Sequence, residues 1–146
     1  MQLTRYSDFS LRVLTYVAVR HAESLVTIEE ISQAFGISKA HLTKVVHQLG
    51  RGGFLETTRG RGGGLQLARV PEKIIVGDVI RYTEGRLDLV ECFDPATSQC
   101  RIEPVCGLRS VLEEALEAFL GTLDRYTVAD LVTRRRQPLL RLLGAS

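Results

Sequence analysis

The sequence predicts a mainly α-helical fold with a small β-wing, that is, a winged helix-turn-helix domain followed by a long dimerisation helix. Two short amphipathic segments joined through a glycine, the second beginning with serine, are typical of a helix-turn-helix. A stretch rich in Gly and Arg between two strand-like segments indicates the wing. A longer amphipathic segment follows a polar loop that contains all three cysteines. We expect a winged domain over residues 1–70, a cluster-binding loop and dimerisation helix over 71–133, and a basic, flexible tail over 134–146.

The composition indicates a globular chain that works inside the cell. Of the 146 residues, 45% are hydrophobic, which is enough to fill a core. No apolar run is long enough to cross a bilayer, and residues 1–5 lack the layout of a signal peptide. We therefore expect a cytoplasmic protein with no membrane partner, in a compartment that keeps thiols reduced.

The net charge of +2 conceals an asymmetry along the chain. Residues 1–70 carry nine Lys and Arg against five Asp and Glu, whereas residues 71–133 carry six against twelve. Residues 134–146 add four arginines and no acid. This division indicates that one end of the protein faces a polyanion, and ordinary scatter of surface charge is the alternative.

Three helices are predicted in the winged domain. Residues 4–20 repeat apolar side chains at helical spacing. Thr27 and Glu30 form a capping box that opens a short second helix, and Gly36 permits the tight turn that ends it. Ser38 is placed to cap the third helix. The predicted inner face of this third helix is apolar and consists of Leu42, Val45, Val46 and Leu49.

The outward face of the third helix and the wing are the predicted contacts with double-stranded DNA. Side chains of a recognition helix reach base edges in the major groove, while a Gly- and Arg-rich hairpin tip lets guanidinium groups bind a phosphate. The predicted contact residues are Ser38, Lys39, Ala40, His41, Thr43, Lys44 and His47 on the helix, with Arg59, Arg61 and Gly62 in the wing. A nucleotide-binding loop is the alternative, but the sequence has no P-loop motif there and no helix comes after it.

The three cysteines, Cys92, Cys100 and Cys106, lie within fifteen residues of one polar loop. An odd number of reduced thiols in one loop favours metal ligation over disulfides. Thiolates are the usual ligands of iron–sulfur clusters and of many metal ions, so a metal or iron–sulfur site is predicted. Two alternatives stay open: zinc held by the same thiols, and cysteines buried singly as small apolar side chains.

A long amphipathic helix is predicted over residues 108–123, after a short helix over residues 75–83 and the cysteines. One side is acidic and the other apolar, a pattern typical of a dimer interface. The predicted interface residues are Leu108, Leu112 (with Val111 as its alternative), Ala115, Phe119 and Leu123. A homodimer is therefore expected, and packing of this helix onto its own chain is the alternative. Thr127 and Asp130 cap a last short helix.

The order of these motifs resembles the family of bacterial winged-helix iron–sulfur regulators. The similar segments are LTRYSD at residues 3–8, RGRGGGL at 59–65, VGDVIR at 76–81 and the three-cysteine loop. The resemblance covers nearly the whole chain, and the wing together with the three cysteines is its specific part. It is strongest to the nitric-oxide-sensing branch, because no His occurs after Cys106 as an additional ligand and residues 126–132 are similar to the end of those proteins.

This resemblance implies a homodimeric repressor that binds inverted-repeat operators and senses nitric oxide through its cluster. It implies a [4Fe–4S] cluster, with [2Fe–2S] as the alternative. It also implies that Asp8 of the partner subunit completes the ligand set, for which Glu91 and Asp94 are local alternatives. A regulator of iron–sulfur supply or redox stress, and a redox or zinc protein that does not bind DNA, are the competing interpretations. No catalytic arrangement stands out, so an enzyme is not expected.

Overall fold

A computed structural model describes residues 2–20 and 24–144 of the chain. The elements, in order, are α1 (Arg5–Val19), α2 (Ile28–Phe35), α3 (Lys39–Arg51), β1 (Leu55–Thr58), β2 (Gly64–Leu67), α4 (Val76–Glu84), α5 (Gly107–Leu123), α6 (Val128–Val132) and α7 (Arg136–Leu142). Short 3-10 turns lie at Pro71–Lys73, Glu91–Phe93, Glu103–Val105 and Thr133–Arg135. The predicted fold class is confirmed. No helix in these two ranges has the length and apolar character needed to span a bilayer.

Side-chain caps fix where the helix-turn-helix begins and turns. The Thr27 hydroxyl accepts from the backbone N–H of Glu30 at 3.2 Å, and the Glu30 carboxylate accepts from the N–H of Thr27 at 2.6 Å. This is the predicted capping box of α2. Gly36 ends α2 with a φ of 65°, a left-handed conformation that favours glycine. Ser38 then caps α3 by accepting from the N–H of His41.

A single hydrophobic core joins the winged domain to the later helices. It is built from the inner faces of α1, α2 and α3, both wing strands, and residues of α4 and α6. Its fully buried side chains include Leu14, Ile31, Leu42, Leu49, Ile74, Val79 and Val128. Each such side chain contributes roughly 1.5–3 kcal/mol to folding. Since three of them come after residue 70, the core crosses the domain boundary expected there.

The wing is anchored on both sides of its second strand. β1 and β2 pair antiparallel, with Leu55 opposite Leu67. On the other side of β2, Val26 and Leu65 exchange two backbone hydrogen bonds of 3.0 and 2.7 Å. Gly64 makes this approach possible, because a Cβ there would lie 2.8 Å from the Val26 carbonyl oxygen. The segment before α2 and the wing are thereby held together.

The chain after α6 forms a helix where a flexible tail was expected. Arg136 donates from Nε to the carbonyl oxygen of Val19 at 3.2 Å, which ties α7 to the end of α1. Leu139, Leu140 and Leu143 pack against the core. The arginines of this segment favoured a solvated tail. The leucines recur at helical spacing, however, and give the segment an apolar face to bury.

The start of α1 is fastened to the end of α4 by a polar cluster in which Ser7 and Thr83 are buried and Glu84 is partly buried. The Glu84 carboxylate accepts from the backbone N–H of Thr4 at 2.8 Å, from the Thr4 hydroxyl at 3.0 Å, and from the Ser7 hydroxyl. Ser7 and Thr83 also share a buried hydrogen bond of 2.7 Å. Burial alone would raise the pKa of Glu84, but the hydrogen bonds from Ser7 and Thr4 outweigh it and hold that pKa below its ordinary value of 4.5.

Replacing this carboxylate should cost stability in a pH-dependent way. Glu84→Gln should lower the free energy of unfolding by about 1 kcal/mol near pH 7, a value reduced by partial exposure to solvent. Because the folded-state pKa lies below the unfolded one, the stabilisation is present above pH 4.5 and disappears as pH falls through the lowered value. Urea unfolding at a series of pH values measures both effects.

Glu114→Gln is the matched control, since Glu114 is exposed on α5 and has no hydrogen bond or ion pair among the described residues. An equal loss of stability in the two variants would contradict the role given to Glu84.

Candidate nucleic-acid interface and cysteine loop

Helix α3 presents all of its predicted DNA contacts on one exposed face. Its apolar inner residues are buried, so the helix cannot turn without exposing them. The exposed predicted residues are Ser38, Lys39, Ala40, His41, Thr43, Lys44 and His47. The structure therefore brings together the seven helix residues that the sequence proposed. We refer to α3 as the recognition helix.

Several of these side chains already have partners within the chain. Lys39 forms an ion pair with Glu29 of α2, and the hydrogen bonds from Lys39 and then Gln33 lower the pKa of Glu29. The hydroxyl of Thr43 donates to the Lys39 carbonyl oxygen at 2.8 Å. In contrast, Lys44 has no hydrogen bond or ion pair within residues 2–20 and 24–144. It is therefore better placed to bind a phosphate or base edge than Lys39.

The structure places three further residues beside the predicted DNA contacts, none of which the sequence pattern identified. Gln48 and Arg51 are exposed and continue the face of Lys44 at helical spacing. Arg5, from the first turn of α1, lines a groove of about 250 Å³ with His41 and Lys44. The helical period could have revealed Gln48 and Arg51. Nothing local in the sequence places Arg5 beside α3.

The wing tip, residues 59–63, has a tight shape that only glycines allow. Gly60 and Gly62 have φ values of 99° and 79°. A Cβ on Gly63 would collide with the carbonyl oxygen of Thr58, and the Gly63 N–H donates to the Gly60 carbonyl at 3.0 Å. Arg59 and Arg61 project from this tip and are exposed. Neither has an ion pair or hydrogen bond within the described ranges, so both are available to a polyanion.

The cysteine loop, residues 92–106, contains three free thiols. Cys92 is buried in the turn Glu91–Phe93, and Cys100 and Cys106 are partly buried. Cys106 is the N-cap residue of α5, at the positive end of the helix dipole. Among the His, Cys, Asp and Glu side chains of the described ranges, no group of three is arranged to hold a single metal ion.

Two carboxylates give the cysteine loop its shape. Asp94 accepts from the N–H of Ala96 and from the Thr97 hydroxyl, both at 3.1 Å, and pairs with Arg86 at 3.0 Å. Glu103 accepts from the Ser98 hydroxyl and from Arg109, both at 2.6 Å; Arg109 lies in the first turn of α5. The loop is therefore tied at one point to the end of α4 and at another to the start of α5.

Three thiols in one loop are candidate ligands for a metal centre. Burial raises the pKa of the Cys92 thiol and so disfavours its thiolate, and the positive charge of Arg109 offsets only part of this shift. A mononuclear site needs its ligand atoms about 2.0–2.3 Å from one ion. A multi-iron cluster instead distributes thiolates over different irons, so they need not converge on one point. The three thiols are donors of the kind that hold iron–sulfur clusters.

Asp8, the predicted ligand from the partner subunit, lies on the surface of α1. Its side chain is 46% exposed and forms a two-point ion pair with Arg12, at 3.0 Å to Nε and 2.8 Å to Nη2. The Arg12 guanidinium also lies 5.9 Å from the ring centre of Phe35. Asp8 is thus accessible from outside the chain, with Arg12 competing for its oxygens.

No residue of α5 is buried in the described chain, and the helix divides the predicted interface residues into two sets. Leu112, Phe119 and Leu123 are partly covered by their own chain, whereas Leu108 and Ala115 are exposed. Val111, at helical spacing from both, is also exposed, so the exposed apolar stripe consists of Leu108, Val111, Ala115 and Ala118. Ile102 and Val105 extend it into the cysteine loop, with 61% and 87% exposure.

The family model described as "Rrf2: Iron-dependent Transcriptional regulator" matches residues 3–134. This chain belongs to the Rrf2 family. It is 48% identical over 143 residues to the HTH-type transcriptional regulator NsrR of Bacillus subtilis, covering 98% of this chain and 97% of that protein. It is 50% identical over 135 residues to NsrR of Geobacillus kaustophilus, covering 92% of each. IscR of T. potens has a similar solved structure, with a TM-score of 0.74 at 25% identity, covering 92% of this chain and 88% of that one.

Membership of the Rrf2 family confirms the predicted resemblance. The chain is a transcriptional regulator and not an enzyme, as its relatives are named regulators over almost their whole length. The head of this Rrf2 protein, with its exposed recognition helix and wing, has the form of a winged-helix regulator.

Removing one wing arginine should weaken DNA binding without changing sequence preference. Arg61→Ala should reduce affinity for specific and unrelated duplexes by similar factors, because a phosphate contact carries no sequence information. The slope of log K against log salt should become shallower by about one unit. Fluorescence anisotropy at several salt concentrations measures this slope.

Arg101→Ala removes the same charge from the cysteine loop and should leave the slope unchanged. A variant Arg61→Ala that keeps the original slope but alters sequence preference would place this side chain at base edges instead.

Proposed function

We propose that this Rrf2 protein is a homodimeric repressor that binds inverted-repeat DNA and carries an iron–sulfur cluster through which it senses nitric oxide. One observation carries the proposal. A single chain combines an exposed recognition helix and wing with a three-thiol loop that runs directly into a helix whose apolar stripe is uncovered. Its NsrR-named relatives support the same combination of parts.

The DNA-binding part of the proposal rests on shape and charge. Lys44, Arg59 and Arg61 are exposed and without partners in the described ranges, and Arg5 lies beside Lys44. A two-fold dimer of such heads reads two half-sites about one or two helical turns apart, which predicts an inverted repeat.

The cluster would be held by Cys92, Cys100 and Cys106. When bound, it supplies iron to which a diatomic ligand can bind. The chain contributes three thiolates, a cationic Arg109 near Cys92, and the positive end of the α5 dipole at Cys106. Asp8 of the partner subunit is the proposed additional ligand. A [4Fe–4S] cluster is proposed, and a [2Fe–2S] cluster is the alternative.

Nitric oxide is favoured over iron–sulfur supply as the signal by two observations. The relatives at 48–50% identity are named NsrR, whereas the structural similarity to IscR is at 25% identity. In addition, the sequence has no His after His47, so no imidazole near the cysteines can serve as a ligand from the loop.

The cluster hypothesis predicts a coloured protein that responds to nitric oxide. Anaerobically purified protein should show visible absorption, a dimer carrying iron and sulfide by native mass spectrometry, and a gel shift on promoter fragments that nitric oxide abolishes. A variant with all three cysteines changed to Ala should be colourless, bind its operator weakly and ignore nitric oxide. Normal repression and a retained response in this variant would refute the cluster-sensor function.

The dimer hypothesis predicts that a charge on the exposed apolar stripe separates the subunits. Val111→Glu should give monomers and loss of operator binding, because a carboxylate would be buried without a partner. Val111 is preferable to Leu112, which is partly covered within its own chain. Sedimentation velocity measures the oligomeric state.

Ser110→Glu is the matched control. It adds the same carboxylate on the face of α5 that carries Glu113, Glu114 and Glu117, where it should stay in solvent. An intact dimer for Val111→Glu would place the interface elsewhere.

A further inference from the structure

Consecutive side chains at the end of α4 bind three different helices, and a nearby arginine binds the cysteine loop. Arg81 holds the C-cap residue of α5, Tyr82 holds the recognition helix, and Thr83 and Glu84 hold the start of α1. Beyond Gly85, Arg86 pairs with the loop. The contacts are Arg81 to Asp124 at 2.6 and 2.7 Å, Tyr82 to the Gln48 carbonyl at 2.8 Å, Thr83 to Ser7 at 2.7 Å, Glu84 to Thr4 at 2.8 Å, and Arg86 to Asp94 at 3.0 Å.

Tyr82 is fitted against the junction between the recognition helix and the wing. Its hydroxyl donates to the carbonyl oxygen of Gln48, in the last turn of α3, which also accepts from the N–H of Gly52 at 2.9 Å. Its ring meets the ring of Phe54 edge-on, with centres 5.5 Å apart. A Cβ on Gly52 would lie 2.8 Å from the Tyr82 ring, so the two parts cannot shift independently.

Arg86 makes the corresponding contact with the cysteine loop. It pairs with Asp88 at 2.7 Å and with Asp94 at 3.0 Å. Asp94 lies two residues after Cys92 and orders the turn immediately beyond it. Any rearrangement of the loop around Cys92 that moves Asp94 must therefore move or break the contact with Arg86.

The same turn of α4 is also linked to the position of α5. Arg81 binds Asp124 through both guanidinium Nη atoms, a geometry that fixes direction as well as distance. Gly77 permits this approach, because a Cβ there would collide with the Asp124 carboxylate. The helix itself is anchored by Val79 and Ile80, which are fully buried. Its last turn therefore moves as one unit with the core.

We propose that residues 81–86, the coupling segment, transmit the state of the cysteine loop to the recognition helix. Arg86 is the positioning residue on the loop side, and Tyr82 is the positioning residue on the DNA side. The inference rests on the proposed function, since it supplies the route by which a cluster in residues 92–106 controls the DNA-binding head.

A purely structural role for Tyr82 makes a different prediction. A contact that only holds the fold together should change operator affinity equally in the cluster-loaded and cluster-free protein. A contact that couples two sites should change the ratio of these two affinities, because coupling is a free energy between sites. The affinity ratio is therefore the readout that separates the two roles.

The test uses two conservative variants of the full-length protein, each with a matched control. Tyr82→Phe removes only the hydroxyl that binds Gln48, and Tyr126→Phe removes a hydroxyl that has no hydrogen bond among the described residues. Arg86→Gln removes the pairing with Asp94, and Arg101→Gln removes the same charge from an exposed position of the loop. Operator dissociation constants are measured by fluorescence anisotropy before and after the cluster is removed with a chelator, and melting temperature and visible spectrum are recorded.

We expect Tyr82→Phe to keep the wild-type spectrum and to lower the melting temperature by only a few degrees, while the ratio of cluster-loaded to cluster-free operator affinity falls about 3- to 10-fold, the effect of one net hydrogen bond. Arg86→Gln should lower the ratio similarly, and both controls should keep the wild-type ratio. The double variant should fall little further than either single variant, since both residues lie on one route.

Equal changes of both affinities in Tyr82→Phe, or fully additive losses in the double variant, would overturn the coupling proposal while leaving the proposed function intact. A wild-type protein that takes up no cluster, or binds its operator equally with and without one, would overturn the proposed function and the coupling with it. The wild-type measurement comes first, so the two failures are distinguished.

Discussion

The buried stripe on the recognition helix is the constraint on which the DNA-facing surface depends. Leu42, Val45, Val46 and Leu49 are buried together, and a rotation by one residue, about 100°, would expose them and bury Lys44. The wing is fixed to the same core through its two strands and to the segment before α2 by backbone hydrogen bonds. A head so constrained cannot be regulated by turning its recognition helix in place. Under the proposed function, regulation would therefore move the head as a whole relative to its partner in the proposed dimer.

In contrast to the recognition helix, whose apolar inner face is buried, helix α5 has no buried residue within the described chain. The core takes side chains from α1, α2, α3, α4 and α6 instead. Its exposed apolar stripe continues into the cysteine loop at Ile102 and Val105. Exposed apolar side chains grouped along one helix face are typical of an interaction surface, which is the basis of the proposed dimer interface. The cysteine loop and the exposed stripe of α5 therefore contribute to the same surface of the chain.

The sequence predicted local features well because their causes lie within a few residues, whereas long-range pairs depend on how the helices pack. The capping box at Thr27 and the N-cap Ser38 each depend on neighbours three positions away. The hydrogen bond of Glu84 to Thr4 spans eighty residues, and nothing in either neighbourhood identifies the partner. The spacing of Leu139, Leu140 and Leu143 is a local signal for α7, but the contact of Arg136 with Val19 is again long-range. The exposed stripe on α5 was predicted only in part, because the sequence does not show which apolar side chains their own chain covers.

The cysteine loop is attached to the rest of the chain by two carboxylate–arginine pairs. Each pair lies at an end of a different helix. Asp94 connects the loop to Arg86, just beyond the end of α4, and Glu103 connects it to Arg109 at the start of α5. Both carboxylates also accept hydrogen bonds from groups inside the loop. Under the proposed function, a rearrangement of this loop would be passed through Asp94 to Arg86, and through Glu103 to Arg109 on the helix that carries the exposed stripe.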